Sequence, residues 1–147
     1  MKIFLTLLFT SIIIISCDVP NKISLTKLEG SPKYESSKLK LNELNFSDDK
    51  YNFSFEVENY ELGAQTLNNS KLANSAKGQH IHFILNNAPY SAHYSENFSK
   101  KLEEDNNVIL AFLSRSYHES VKNSNAYYFS QIGDGEKVDL EKEYLFY

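Results

Sequence analysis

The sequence predicts an all-β domain, an antiparallel β-sandwich, and three observations carry that prediction. Short segments alternate apolar and polar residues, and a run of six apolar residues from Val108 to Leu113 is bounded by polar stretches. No segment holds the 3.6-residue period of a long amphipathic helix. A small closed barrel is the alternative that this pattern allows. At 147 residues the chain suits one core better than two. Aromatic side chains, 14% of the residues and all of them Tyr or Phe, are available to fill it.

The first segment gives an address rather than a fold. Met1 and Lys2 form a positive start, and Ile3 to Ser16 is apolar apart from Thr6, Thr10, Ser11 and Ser16. Such a run is shorter than the ~20 residues needed to span a bilayer, so residues 1–16 read as a signal peptide. Its end, Ile14-Ile15-Ser16-Cys17, resembles the bacterial lipobox, with Ile14 where Leu is usual. Cys17 is the only cysteine, which excludes an intramolecular disulfide and a thiolate metal cluster. Its position predicts acylation, as with palmitate, and each buried methylene of such a chain contributes about 0.8 kcal/mol of membrane attachment. The expectation is a lipoprotein anchored to a membrane of the bacterial cell envelope, with Asp18 leaving inner and outer membrane both open.

Removing residues 1–16 takes away Lys2 and leaves 14 basic against 19 acidic residues, a net charge of -5. With Arg115 the single arginine, the chain lacks the basic stripe that nucleic acid requires, and that class of partner is excluded. Residues 17–38, with Pro20, Gly30, Pro32 and Ser36-Ser37 and no sustained period, read as the lipidated Cys and a flexible tether.

The domain is expected over 39–147. Lys38 to Leu41 alternates, Ser47 to Lys50 is a polar turn, and Tyr51, Phe53, Phe55 and Val57 then form the apolar face of a half-buried strand. Gly63 to Lys77 reads as a long polar loop, which Leu67 and Leu72 would pin. Gly78 to Tyr94 reads as a hairpin, and Ser95 to Asn107 as a charged turn region with one helical turn near Lys100 to Glu104. Val108 to Leu113 predicts a strand buried on both faces, and Ser114 to Asn125 a polar loop. Ala126 to Ile132 and Val138 to Tyr147 predict two more strands around the turn Gly133-Asp134-Gly135. The apolar end Tyr144 to Tyr147 reads either as a docked last strand or as a truncation.

The hairpin nominates a site. His80 and His82 are two apart and share a strand face, while Ile81, Phe83 and Leu85 form the core face. A two-residue turn at Asn86-Asn87 sets His80 opposite His93, and a four-residue loop sets His82 opposite it. A three-residue loop instead sends His93 to the core side. In either even register three imidazoles converge, a cysteine-free donor set suited to zinc or copper with an open position. His118 is a candidate fourth ligand. The plainer reading has the same histidines partly buried and hydrogen-bonded beside Tyr90, Tyr94 or Tyr117. Arg115 either grips a carboxylate or phosphate ligand or makes an ordinary ion pair. Nucleophile elbow, phosphate loop and paired-carboxylate motifs are absent, and Ser114 and Ser116 beside His118 and Glu119 do not make a triad.

NYELGAQT at Asn59 to Thr66, LANSAKGQHIHFILNNAPYSAHY at Leu72 to Tyr94 and FLSRSYHESVKN at Phe112 to Asn123 resemble a family of bacterial lipoproteins and secreted proteins. Its hallmark is a G-x-H-x-H strand with a downstream S-R-[SP]-[WY]-H-E-S loop. The resemblance, from about Leu39 to Phe129, implies an immunoglobulin-like β-sandwich at the cell envelope and no particular activity. Its motif falls on Gly78, His80, His82, His93, Arg115, Tyr117, His118 and Glu119, with Asn87-Ala88 where a glycine is expected. Longer relatives continue past Leu145 to Tyr147, which favours the truncated reading. The function expected is a lipid-anchored binding domain. Its metal ligands would be His80, His82 and His93, and a small anionic ligand would meet Arg115, Tyr117, His118 and Glu119. The rivals are a metal-dependent hydrolase or oxidase with Glu119 as base, and a purely structural role.

Overall fold

A computed structural model of the chain describes residues 23–27, 30–67, 72–102 and 106–133. The signal peptide, Cys17 and the strand expected from Val138 to Tyr147 lie outside the described residues. Seven strands follow in order: β1 (Lys38–Ser47), β2 (Lys50–Glu58), β3 (His80–Leu85), β4 (Ser91–His93), β5 (Asn97–Lys100), β6 (Asn106–Ser114) and β7 (Tyr127–Gly133). They form two antiparallel sheets, β1-β2-β5 and β4-β3-β6-β7, and among the described residues there is no helix. The all-β expectation therefore holds, with the sheets face to face as in a β-sandwich.

Strands β1 and β2 are joined at Asp48 and Asp49, both in the left-handed region that a tight two-residue hairpin turn requires. A bulge between Leu41 and Glu43 lets Leu44 rejoin the face of Leu39 and Leu41, so that Leu39, Leu41 and Leu44 pair with Val57, Phe55 and Phe53. The core lies between Phe53 and Phe55 of one sheet and Ile81, Phe83, Ile109, Ala111 and Leu113 of the other. Phe53 meets Phe83 edge-on at 5.1 Å, and Phe98 meets it at 5.2 Å. Aromatic contacts of this kind add about 0.5–1.5 kcal/mol each beyond the area they bury.

Four expectations change. Phe98, in the supposed turn region after Ser95, belongs to β5 and pairs with Phe53. A strand this short forms because β2 offers it a ladder and an aromatic face, not from its own pattern. In β6, Ile109, Ala111 and Leu113 are fully buried but Val108, Leu110 and Phe112 only partly, so one face is core and the other is partly covered. Leu67 and Leu72 are exposed, and polar bonds hold their loop instead: Thr66 N donates to Ser116 Oγ at 3.0 Å and Ser75 N to Ser116 O at 2.7 Å. Finally, the end of the supposed tether is packed. Ser37 is fully buried, Tyr34 lies edge-on to Tyr60, and the carbonyls of Pro32 and Tyr34 accept bonds from Arg115 and Asn123. The packed domain begins near Ser31 rather than Leu39.

Candidate functional site

Strand β3 divides the site from the core. Ile81 and Phe83 pair with Leu113 and Ala111 on the inner face, so the alternation places His80 and His82 outward, opposite Ser114 and Phe112. Outward is not exposed here, because His80 is fully buried and His82 nearly so. The loop leading into β3 explains part of this cover. Gly63 N donates to Gln79 O at 2.8 Å and Gln79 N to Ala64 O at 2.7 Å, tying the loop backbone across the start of β3. Gly78 sits at this crossing with φ +82°, and a Cβ there would lie 2.2 Å from Gly63 O. The glycine of G-x-H-x-H is thus required by a close backbone crossing.

The turn that decides His93 is odd in register. Asn86 and Asn87 both take positive φ and Ala88 N donates to Leu85 O at 2.9 Å, which is the expected two-residue turn. The ladder does not simply continue from it. Ile81, His82 and Phe83 pair with His93, Ala92 and Ser91, one residue later than that turn alone would give. The extra residue enters between Ala88 and Ser91, a stretch that includes Pro89 with no N–H to contribute. His93 consequently joins the face of Ile81, stacking on Phe98 at 3.6 Å, meeting Phe83 edge-on and bonding Ser91 Oγ at 2.9 Å. The expected trio of His80, His82 and His93 is corrected: His93 lies on the inner face, half-buried against Phe98 and Phe83.

His118 takes its place. The loop from Arg115 to Glu119 is closed by the Ser114–Ser120 bridge, with His118 N donating to Arg115 O and Arg115 N to Glu119 O, each at 2.9 Å. His118 is left-handed at φ +64°, a conformation that costs a residue with a Cβ about 1 kcal/mol or more. Its ring lies 5.0 Å from that of His80 and 5.7 Å from that of His82. One nitrogen from each of the three lies within 4.8 Å of the others. His80 Nε2 is 2.7 Å from His82 Nε2, which is 3.5 Å from His118 Nδ1.

Hydrogen positions follow from the partners. Gly78 O can only accept, so His80 Nδ1, 2.8 Å away, carries its hydrogen and His80 Nε2 is bare. The hydrogen between the two Nε2 atoms then belongs to His82. A backbone carbonyl holding the far nitrogen is the arrangement that orients a metal-ligating imidazole. Burial holds His82 neutral, its pKa down to about 3, with the neighbouring His80 and His118 adding to the effect. Burial likewise lowers His80. Neutral imidazoles are the form that binds metal, and for His82 Nε2 to serve, its hydrogen must move to the other ring nitrogen, Nδ1. In a tetrahedral site with metal–nitrogen bonds of about 2.05 Å, donors stand about 3.3 Å apart. The 3.5 Å separation is close to that, and the His80–His82 pair needs to open by roughly 0.6 Å.

The other nominated residues do different work. Arg115 is buried, and its guanidinium donates to the carbonyls of Pro32 and Ser120, with Glu119 Oε1 3.9 Å away. It braces the His118 loop against the chain near Ser31. Glu119 accepts from Ser31 Oγ, and it is not among the residues whose donor atoms converge with the imidazoles. Tyr117 is partly buried. Two tyrosines matter more than their positions suggested: Tyr90 stacks on His82 at 3.8 Å, and Tyr94 lies 5.0 Å from His80.

Compared with known proteins, the chain matches no family model, no curated protein and no solved structure.

Proposed function

We propose that this domain binds a transition-metal ion, zinc or copper by donor type, through His80, His82 and His118. The observation that carries the reading is the convergence of three imidazole nitrogens within 4.8 Å, two from β3 and one from the loop after β6. The hydrogen bond from His80 Nδ1 to Gly78 O and the left-handed backbone of His118 support it, since both orient a ring at some cost. An anionic ligand is less well supported, because the guanidinium of Arg115 already serves backbone carbonyls. The lipobox-like Cys17 and the resemblance to envelope lipoproteins support placing the domain at a bacterial membrane surface, on an immunoglobulin-like sandwich.

The full chain, purified in detergent without a histidine tag and exposed to zinc or copper, should retain one ion per molecule. His118→Ala and the double substitution His80→Ala/His82→Ala should retain none. Equal, negligible metal in all three proteins would refute the reading.

A second reading is favoured by the burial of His80 and His82 and their mutual hydrogen bond. In it the imidazoles only pack the loops onto the sheet, and losing His118 would cost stability without changing metal content.

A further inference from the structure

We propose that Tyr90 supplies the fourth donor of the metal site, its phenol oxygen completing the set begun by His80, His82 and His118. The inference rests on the metal reading above and adds to it a ligand that histidine counting does not reveal.

The geometry has three parts. The Tyr90 ring lies parallel to the His82 imidazole, at 3.8 Å and 11°. Its oxygen reaches 3.5 Å from His118 Nδ1. That spacing equals the 3.5 Å between His118 Nδ1 and His82 Nε2, and both are near the edge length of about 3.3 Å for a tetrahedral site. Two edges drawn from His118 Nδ1, one to nitrogen and one to oxygen, thus already have the dimensions of a coordination polyhedron.

The hairpin explains how Tyr90 comes to be there. The residue added between Ala88 and Ser91 turns His93 inward and leaves Tyr90 in the irregular stretch before β4, lying over His82. One change of register removes a histidine from the outer face and brings a tyrosine to it. Tyr90 is 47% exposed, so the cluster opens to solvent on its side.

The chemistry balances without a redox partner. The phenol O–H bond breaks, its proton passes to bulk water, and an oxygen–metal bond forms. His82 gives up the hydrogen on Nε2 and takes one up on Nδ1 through water, which frees the Nε2 lone pair, and the metal keeps its oxidation state. An anionic oxygen beside three imidazoles, with no sulfur donor, suits Zn(II) or Cu(II) and disfavours Cu(I).

Cu(II) is the probe that reports the bond, because a coordinated phenolate gives a ligand-to-metal charge-transfer band in the visible spectrum. The full chain and Tyr90→Phe, which keeps the stacked ring, are titrated with Cu(II) and followed by absorbance and bound-copper analysis. Wild type should bind one Cu(II) with the band. Tyr90→Phe should bind one Cu(II) at least about tenfold more weakly, without the band. Copper bound by both proteins with the band in neither, or in both, overturns the tyrosine ligand and leaves the histidine site standing. No copper bound by wild type overturns both.

Discussion

The two faces of the paired strands β3 and β4 hold histidines with similarly depressed basicity and opposite surroundings. Burial takes His82 down to about 3 and His93 down to about 4. On the inner face His93 has Phe98 stacked against it, Phe83 at its edge and Lys100 adding to the depression. On the outer face His82 has two more imidazoles and a phenol around it. A shifted pKa therefore marks burial on both faces, and only the convergence of donor atoms separates a site from a core residue. The inner face is packed by shape, and the outer face by polar groups that have something left to offer.

The comparison can be broken from either side. The largest effect is expected where a loop crosses β3. Gly78→Ala adds a Cβ that collides with the Gly63 backbone and places alanine at φ +82°, so denaturant titration should show a loss on the order of 3 kcal/mol or more, or no folded protein. On the inner face, Phe53→Ala removes the ring that meets Phe83 of the opposite sheet and stacks with Phe98 of its own, and should cost about 3–5 kcal/mol.

Acid should expose both faces together. An unfolded imidazole titrates near 6.5, above the folded values of about 3 for His82 and about 4 for His93. Between these limits the unfolded chain binds more protons, so stability rises with pH there. The contribution is complete above about pH 6.5 and drains away as pH falls toward 4 and then 3. His93→Leu should remove the His93 share of the slope between about pH 4 and 6.5 and leave the His82 share, which spans that range and continues down to about 3. An unchanged slope in that variant would place His93 outside the interior.

The smallest effect on stability is the most informative. His118→Gly relieves a left-handed residue with a Cβ, and in the absence of metal should leave stability unchanged or raise it by up to about 1 kcal/mol. A loss of roughly 2 kcal/mol would instead mark His118 as a packing residue.

The sequence made the strands legible where a face was strongly apolar. β2 alternates through Phe53 and Phe55, and β6 carries Ile109, Ala111 and Leu113. β5 was hidden because four residues with one buried aromatic do not declare a period. At the site, the shared face of His80 and His82 followed from their spacing, but the position of His93 hung on a single residue of register. Two asparagines give the turn, and one residue added before Ser91 then shifts the ladder that the turn alone would set. His118 was legible only as a neighbour, since its aim depends on a left-handed φ that favours glycine and that histidine adopts only occasionally. The packing of Ser31 to Ser37 was not legible, because carbonyls of Pro32 and Tyr34 do much of the bonding and every residue has one.

The most direct test is whether zinc stabilises the fold through His118. An ion that binds only the native state adds about 2.7 kcal/mol of stability at a free concentration a hundredfold above its Kd. Denaturant titration with and without zinc should show a gain of this order for wild type and none for His118→Gly. An equal response in the two proteins, or none in wild type, would contradict a metal site built from His80, His82 and His118.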